Sequence, residues 1–380
     1  MPRIQTVKSA VCLLPMMFLA WASPVFSQDG LAAKMSLLQL PPGFEISIYA
    51  EGVENARQLA LGEQGTVFVG SRKAGKVHAL VDSDGDHVVE QVHLVDEGLE
   101  MPSGLEFRSG ALYVGAVDRV LRYDDIERRL HSPPEPVVVR DDLPDEAHHG
   151  WKYLRFGADG LLYLPVGAPC NICDEEGFAQ IRRMAADGSG MEVFAEGVRN
   201  SVGLAFHPDT GELWFTDNGR DMLGDDLPGD ELNHAPVPGM HFGYPWCHQG
   251  DSLDPEFGQG KSCADYSPPA LTLGAHVAAL GLTFYTGGMF PPDYRGQLFI
   301  TQHGSWNRSE KVGYNVILVR FDDHGRVSGS EEFIGGWLQG QESWGRPNDV
   351  LQMPDGSLLI SDDAQDVVYR VTYTGGGPDS

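Results

Sequence analysis

Side chains suited to proton transfer and anion binding recur at matching distances from one repeated phrase in this 380-residue chain. The phrase is a Gly, one variable residue, then an apolar or aromatic triplet. It occurs at Gly65, Gly110, Gly160, Gly211, Gly296 and Gly356. About 8–12 residues before these glycines stand Arg57, His148-His149-Gly150, Arg199-Asn200-Ser201 and Arg346-Pro347-Asn348. About 5–8 residues after them stand Ser71-Arg72, Asp217-Asn218-Gly219-Arg220, Gln302-His303-Gly304 and Asp362-Asp363. An imidazole with an ordinary pKa of about 6.5 takes a proton near neutrality. Guanidinium groups pair with carboxylates in a bidentate fork. Main-chain carbonyls at a bend suit a hard cation. A mouth lined by such groups suits a small polar anion.

Elements must bring these groups together. Short apolar runs precede most of the glycines, as in Leu105-Glu-Phe107, Leu154-Arg-Phe156, Leu204-Ala-Phe206 and Leu282-Thr-Phe284. Each unit therefore reads as strand, tight turn, strand. Successive glycines lie 45, 50, 51, 85 and 60 residues apart. Spacings near 50 suit one four-stranded propeller blade. The expected fold is all-β, a six-bladed β-propeller, with a two-domain β protein as its rival. The 85-residue gap holds an Asp-, Gly-, Pro- and His-rich stretch, 223–273, read as a long inserted loop. In a hairpin the start of the first strand and the end of the second lie opposite the turn. The chemically unusual residues should therefore gather on one face.

Composition bounds the rest. With 47 Gly and 25 Pro, a helix-rich fold is disfavoured. A formal charge of -27 argues against a nucleic-acid partner. Residues 1–27 read as a secretory signal peptide: Arg3 and Lys8, then an apolar run from Ala10 to Ala22. That run falls short of the ~20 residues that span a bilayer, and no later stretch qualifies, so no membrane span is expected. The remaining 28–380 read as one domain with a core at about 40–372 and a lead-in at 28–39. Periplasmic or secreted localisation follows. Cys170, Cys173, Cys247 and Cys263 would remain, an even number that suits two disulfides. Four cysteines allow three connectivities, of which Cys170/Cys173 with Cys247/Cys263 is simplest, and a catalytic redox dithiol is an alternative for the first pair. Asp174 rather than His follows Cys173, so this is no haem c attachment site. Asp82-Ser-Asp-Gly-Asp86 lacks EF-hand spacing and reads as a turn between outer strands.

Several motifs resemble, together and in order, the pyrroloquinoline quinone (PQQ) dependent glucose/sorbosone dehydrogenases, nearest the sorbosone-dehydrogenase-like branch. They are His149 with Phe156-Gly-Ala-Asp-Gly160, Gly197-Val-Arg-Asn-Ser201, Asp217-Asn-Gly-Arg220 with Gly229-Asp-Glu-Leu-Asn233, His303-Gly-Ser-Trp-Asn-Arg308, and Arg346-Pro-Asn-Asp-Val350. The resemblance implies His149 as general base and Arg199 beside the quinone carbonyl, with Asn200 next to it. It implies Ca²⁺ on the main-chain carbonyls of Gly219 and Arg220. Arg346 would hold cofactor carboxylates, with Arg308, Lys311 or His303 adding positive charge. Asp230 and Glu231 match a further calcium-binding acidic segment, with the Phe242 carbonyl as a co-ligand. Two departures stand out. Ala168 replaces an acidic residue of the glucose-oxidising branch, and Asn348 replaces a second cofactor-binding arginine. Both put glucose in doubt as substrate.

The implied activity is exported oxidation of a sugar, sugar aldehyde or polyol. A separate electron acceptor is needed, a cytochrome c or a quinone. Two other readings stay open: a Ca²⁺-dependent propeller hydrolase of lactonase type using Asp217, Asn218, Asp362 and Asp363, and a non-catalytic propeller binding module.

Overall fold

Each of the six phrase glycines has positive φ, between 69° and 91°, in the computed structural model, which describes residues 28–375. The proposed signal, residues 1–27, lies outside the described residues. At Gly356 a Cβ would stand 2.8 Å from the Met289 nitrogen, so the turn needs both the left-handed backbone and the missing side chain. Every one of these turns joins the first and second strands of a four-stranded antiparallel unit.

The first blade runs Ala56–Leu61, Val67–Ser71, Lys76–Val81 and Gln91–Glu97. The second runs Gly104–Arg108, Ala111–Gly115, Val120–Tyr123 and Val137–Arg140. The third runs Arg155–Phe156, Leu162–Val166, Gln180–Met184 and Glu192–Glu196. The fourth runs Leu204–Phe206, Leu213–Asp217, Gly229–Ala235 and Leu271–Ala275. The fifth runs Ala279–Phe284, Leu298–Gln302, Asn315–Phe321 and Val327–Ile334. The sixth takes Pro347–Gln352, Leu358–Asp362 and Val367–Tyr373 from the C-terminal end and its outer strand, Phe44–Glu51, from the N-terminal end. That pairing closes the ring and leaves no open sheet edge between first and last blades. The fold is a six-bladed β-propeller.

Apolar side chains pack between successive blades. Phe68, Val77, Leu105 and Leu112 join the first two, and Phe215, Tyr163, Ile181 and Leu204 join the third and fourth. An aromatic cluster joins the fifth and sixth: Phe333 lies 4.7 Å from Phe299 and 4.9 Å from Phe44, ring to ring. First strands meet around the axis, Ala56–Leu61 touching both Gly104–Arg108 and Pro347–Gln352.

The stretch 223–273 is only partly a loop. Its ends form the third and fourth strands of blade four. Gly229–Ala235 carries Asp230, Glu231, Asn233 and His234, so its composition disguises a strand whose two carboxylates are buried and bonded. The true insertion between these strands is pinned by the Cys247–Cys263 disulfide. It also adds Met240–His241 to the edge of blade three. Cys170–Cys173 is the second disulfide. The Asp82–Asp86 turn joins the outer strands of blade one. Helix Gln28–Met35 belongs to a separate N-terminal unit that ends at Leu37. Among the described residues no helix is long and apolar enough to cross a membrane.

Candidate active site

The strand ends opposite the glycine turns surround a cavity of about 530 Å³. That lies within the usual range for small-molecule sites. His149, Arg199, Asn200, Gly219, His303 and Arg346 all line it, together with Arg57 and Arg72. Three expected residues turn elsewhere. The Arg220 guanidinium leaves the wall to bond Asp254 at 2.5 Å and Glu256 at 3.1 Å. Arg308 donates to the carbonyl oxygens of Asp225, Ala275 and Glu310. Glu231 is buried behind the wall, accepting from Asn233 Nδ2 at 2.9 Å and Gln249 N at 2.7 Å.

Buried carboxylates in and behind the wall set the loops. Asp217, at the end of the second strand of blade four, accepts Arg199 N at 2.8 Å and Asn200 N at 2.6 Å. Asp362, at the equivalent place in blade six, accepts Arg346 N at 2.9 Å. Asp230 accepts Gly219 N at 2.9 Å and Ala278 N at 2.6 Å. Each strand-end carboxylate thus satisfies main-chain donors of the loop that carries a site residue. Burial raises the pKa of Asp217 and Glu231, and their mutual repulsion raises that of Glu231 further.

His149 is held in one tautomer. Its Nδ1 lies 2.9 Å from the Ala168 carbonyl oxygen, which can only accept, so Nδ1 carries the proton and Nε2 the lone pair. The residue has φ of 51°, a left-handed conformation that costs a non-glycine side chain about 1–2 kcal/mol. Gly167 lets it fit: a Cβ there would stand 2.7 Å from His149 Cβ and 2.7 Å from its carbonyl oxygen. Burial, then Arg199 and His148, hold the His149 pKa well below 6.5. The ring is therefore neutral near pH 7, as a base must be. Trp151 stands edge-on to it at 5.6 Å, and the Arg72 guanidinium lies over Trp151 at 3.9 Å.

Arg199 spends its five N–H donors on the protein. Nε bonds the Asn171 carbonyl oxygen at 2.9 Å, and Nη2 bonds Asn171 Oδ1 at 2.9 Å and Asp221 Oδ2 at 3.2 Å. Nη1 bonds the carbonyl oxygens of Asn218 at 3.0 Å and Gly219 at 2.8 Å. Those two carbonyls converge on one nitrogen, whereas the sequence pointed to the carbonyls of Gly219 and Arg220.

The opposite wall is short of acceptors. Arg57 pairs with Asp363 at 2.6 Å, and the same carboxylate accepts from His303 Nε2 at 2.7 Å. Asn348, with its amide turned to satisfy both partners, accepts from Arg57 at 2.7 Å. Arg57 from blade one thus lies against the Asn348 side chain. Arg346 bonds the carbonyl oxygens of His303 and Gly304 at 3.0 and 2.9 Å. Arg72 Nε is buried without any acceptor, as is Trp151 Nε1. Burial, followed by Arg57, pushes the Arg72 pKa down to about 10. Burial, with help from Arg346 and Arg57, pushes His303 down to about 4, so it is neutral and donates to Asp363. Burial would raise the Asp363 pKa, but Arg57 and His303 hold it well below the ordinary range.

His276, Asn307 and exposed Trp306 complete the rim. The offset rule missed His276 because the fifth hairpin loop runs from Tyr285 to Gln297. Counting 8–12 residues back from Gly296 therefore lands inside that hairpin.

A propeller whose axial mouth gathers arginines and a neutral histidine defines the class. A family profile described as TrAA12-like matches residues 38–334, and the chain belongs to that family, whose members are related to PQQ-dependent sugar oxidoreductases. An uncharacterised protein of Borreliella burgdorferi is 30% identical over 353 residues, 89% of this chain and 91% of its own. An aldose sugar dehydrogenase of Escherichia coli is 27% identical over 190 residues, 49% of this chain and 45% of its own. Among solved structures, the calcium form of the Trichoderma reesei Carbohydrate-Active Enzymes Family AA12 protein superposes with a TM-score of 0.77 at 20% identity, covering 88% of this chain and 97% of that one. The holo form of the pyranose dehydrogenase PQQ domain from Coprinopsis cinerea gives 0.73 at 19% identity over the same shares.

Proposed function

We propose that this protein is an exported PQQ-dependent dehydrogenase that oxidises a sugar, sugar aldehyde or polyol, of the sorbosone-like branch. One observation carries the reading. Arg57, Arg72, Arg346 and Arg199 line one cavity with His149, and buried Arg72 Nε and Trp151 Nε1 have no acceptor there. An anion rich in carboxylates fits such a wall, and PQQ has three. Arg346, Arg72 and Arg57 would hold those carboxylates, with Asn200 and His303 beside them. Arg308, whose guanidinium is bonded outside the wall, would play no part.

Bound PQQ supplies the two-electron acceptor. His149 Nε2 takes the substrate hydroxyl proton, while Ala168 fixes the ring through Nδ1. Arg199 keeps positive charge beside that ring, which favours its neutral, proton-accepting form. The Gly219 carbonyl, with Asn218 beside it, would hold Ca²⁺, since oxygen donors converging on one point suit a hard cation. That requires Arg199 Nη1 to leave these carbonyls for the cavity, where it would face an oxyanion. Arg220 would contribute through its main chain only, and Glu231 would stay a buried support.

The lactonase-type reading loses its three carboxylate ligands. Asp217 and Asp362 are spent on main-chain N–H groups, and Asp363 on Arg57 and His303. Two disulfides support an oxidising compartment and hence export. Electrons would leave to a separate cytochrome c or quinone.

The test is direct. Purified protein is loaded with PQQ and Ca²⁺ and given a panel of sugars with an artificial electron acceptor. Acceptor reduction that requires PQQ is expected. Inertness across the panel despite bound PQQ would reject the substrate class, and failure to bind PQQ would reject the cofactor.

A further inference from the structure

One short loop reaches both residues at the centre of the proposed chemistry. It joins Leu162–Val166 to Gln180–Met184 and contains the Cys170–Cys173 disulfide. Ala168 O fixes His149 Nδ1 at 2.9 Å, and Ala168 N donates to Arg199 O at 2.8 Å. Asn171, inside the disulfide ring, grips the edge of the Arg199 guanidinium formed by Nε and Nη2, at 2.9 Å each. The same Oδ1 accepts Asp221 N at 2.8 Å, and Asn171 Nδ2 donates to Asp221 O at 3.0 Å. Asn171 is therefore bonded on all sides by Arg199 and Asp221. The neighbouring Cys173 N donates to the Tyr244 hydroxyl at 3.0 Å. Because Asn171 holds one edge of the guanidinium, it decides where the other edge, Nη1, points.

We infer that Asn171 is a positioning residue for Arg199 and that the Cys170–Cys173 disulfide controls it by redox state. Closed, the short link spanning Asn171 and Ile172 fixes Asn171 and hence Arg199. Opened, it frees both. Opening takes two electrons and two protons from a dithiol: the S–S bond breaks, two thiols form, and the dithiol becomes a disulfide. The bond is reachable. Both cysteines are half-buried, and Cys173 lines a second cavity of about 180 Å³ with exposed Asp174, Glu175 and Glu176. Cys247 of the other disulfide is buried.

This inference rests on PQQ binding in the main cavity. Linkage gives it a test that needs no turnover. If reduction of the disulfide weakens PQQ binding by some factor, PQQ must stabilise the disulfide by the same factor. PQQ binding is titrated spectroscopically on wild type, on C170S/C173S and on Asn171→Ala, with and without prior dithiol treatment. Thiol trapping with peptide mass spectrometry across a dithiol redox series then reads each disulfide separately, with and without saturating PQQ.

About tenfold weaker PQQ binding is expected for reduced wild type, C170S/C173S and Asn171→Ala alike. Reduction should add nothing to the Asn171→Ala loss. Saturating PQQ should move the Cys170–Cys173 midpoint about 30 mV more negative, the two-electron equivalent of tenfold. The Cys247–Cys263 midpoint should stay where it is. Equal PQQ affinity in both redox states, with an unmoved Cys170–Cys173 midpoint, overturns the inference and leaves the cofactor reading intact. No PQQ binding by the oxidised protein overturns both. Should C170S/C173S fail to fold, reduced wild type and Asn171→Ala carry the same comparison.

Discussion

The two walls of the cavity hold arginines under opposite conditions. On the wall built by blades three and four, all five donors of Arg199 are matched by carbonyl and carboxylate oxygens. On the facing wall, Arg57 pairs with the buried Asp363 carboxylate, Arg346 bonds two main-chain carbonyls, and Arg72 Nε has no acceptor. A buried donor without a partner costs about 1–3 kcal/mol. The second wall therefore gains most when an anion arrives, whereas the first must trade existing bonds for new ones. Most of the affinity should lie on one side and control of chemistry on the other.

The largest way to sharpen that contrast is His149→Ala, on the saturated wall. Turnover should fall by about 10²–10⁴, the usual worth of a general base, with PQQ affinity little changed. Steady-state rates alongside a PQQ titration check this, and wild-type turnover in the variant would refute the assignment. Gly167→Ala comes next. The new Cβ would push His149 at two points 2.7 Å away, and turnover should drop up to about 10²-fold, the scale of a 1 Å misplacement. Unaltered kinetics would show that the ring tolerates displacement.

Arg72→Met and Arg346→Met should each weaken PQQ binding by about 10- to 100-fold, from charged hydrogen bonds worth about 1.5–3 kcal/mol. Their effect should diminish in high salt only modestly, since buried pairs are poorly screened. Arg199→Met should weaken binding by about tenfold, the low end of that range. If it weakens binding most, the contrast between the walls is wrong. The smallest expected effect is on pH. Burial first, then the Arg199 charge, holds His149 below its ordinary pKa, so kcat/KM should stay on its plateau well below pH 6.5. Protonation at still lower pH removes the base and the rate. Arg199→Gln deletes one of the forces opposing protonation, so the acid limb should move upward in pH.

The blade count was legible because the left-handed glycine turn is a local requirement repeated six times. No neighbour is needed to dictate it. His149, Arg199, His303 and Arg346 were legible for the same reason: each lies a nearly constant distance from such a turn. Where hairpin length changed, the rule failed, and His276 was missed behind the long fifth loop. The strand Gly229–Ala235 was hidden because its two carboxylates are buried yet bonded, which composition does not reveal.

By itself, then, the chain determined the repeat, the ring it closes, and which blades would bring cationic and imidazole groups to a common mouth. These follow from local backbone chemistry and periodicity. Only the tertiary structure decided which way adjacent side chains face: Gly219 in the wall but the Arg220 guanidinium on Asp254, Asp230 in the wall but Glu231 behind it. Neighbouring side chains diverge along a strand or bend, so a motif fixes their order and leaves their partners to the fold. The contact of Arg57 with Asn348, from another blade, is of the same kind. Charge can be supplied to one point in space by residues far apart in sequence, and only folding brings Arg57 there.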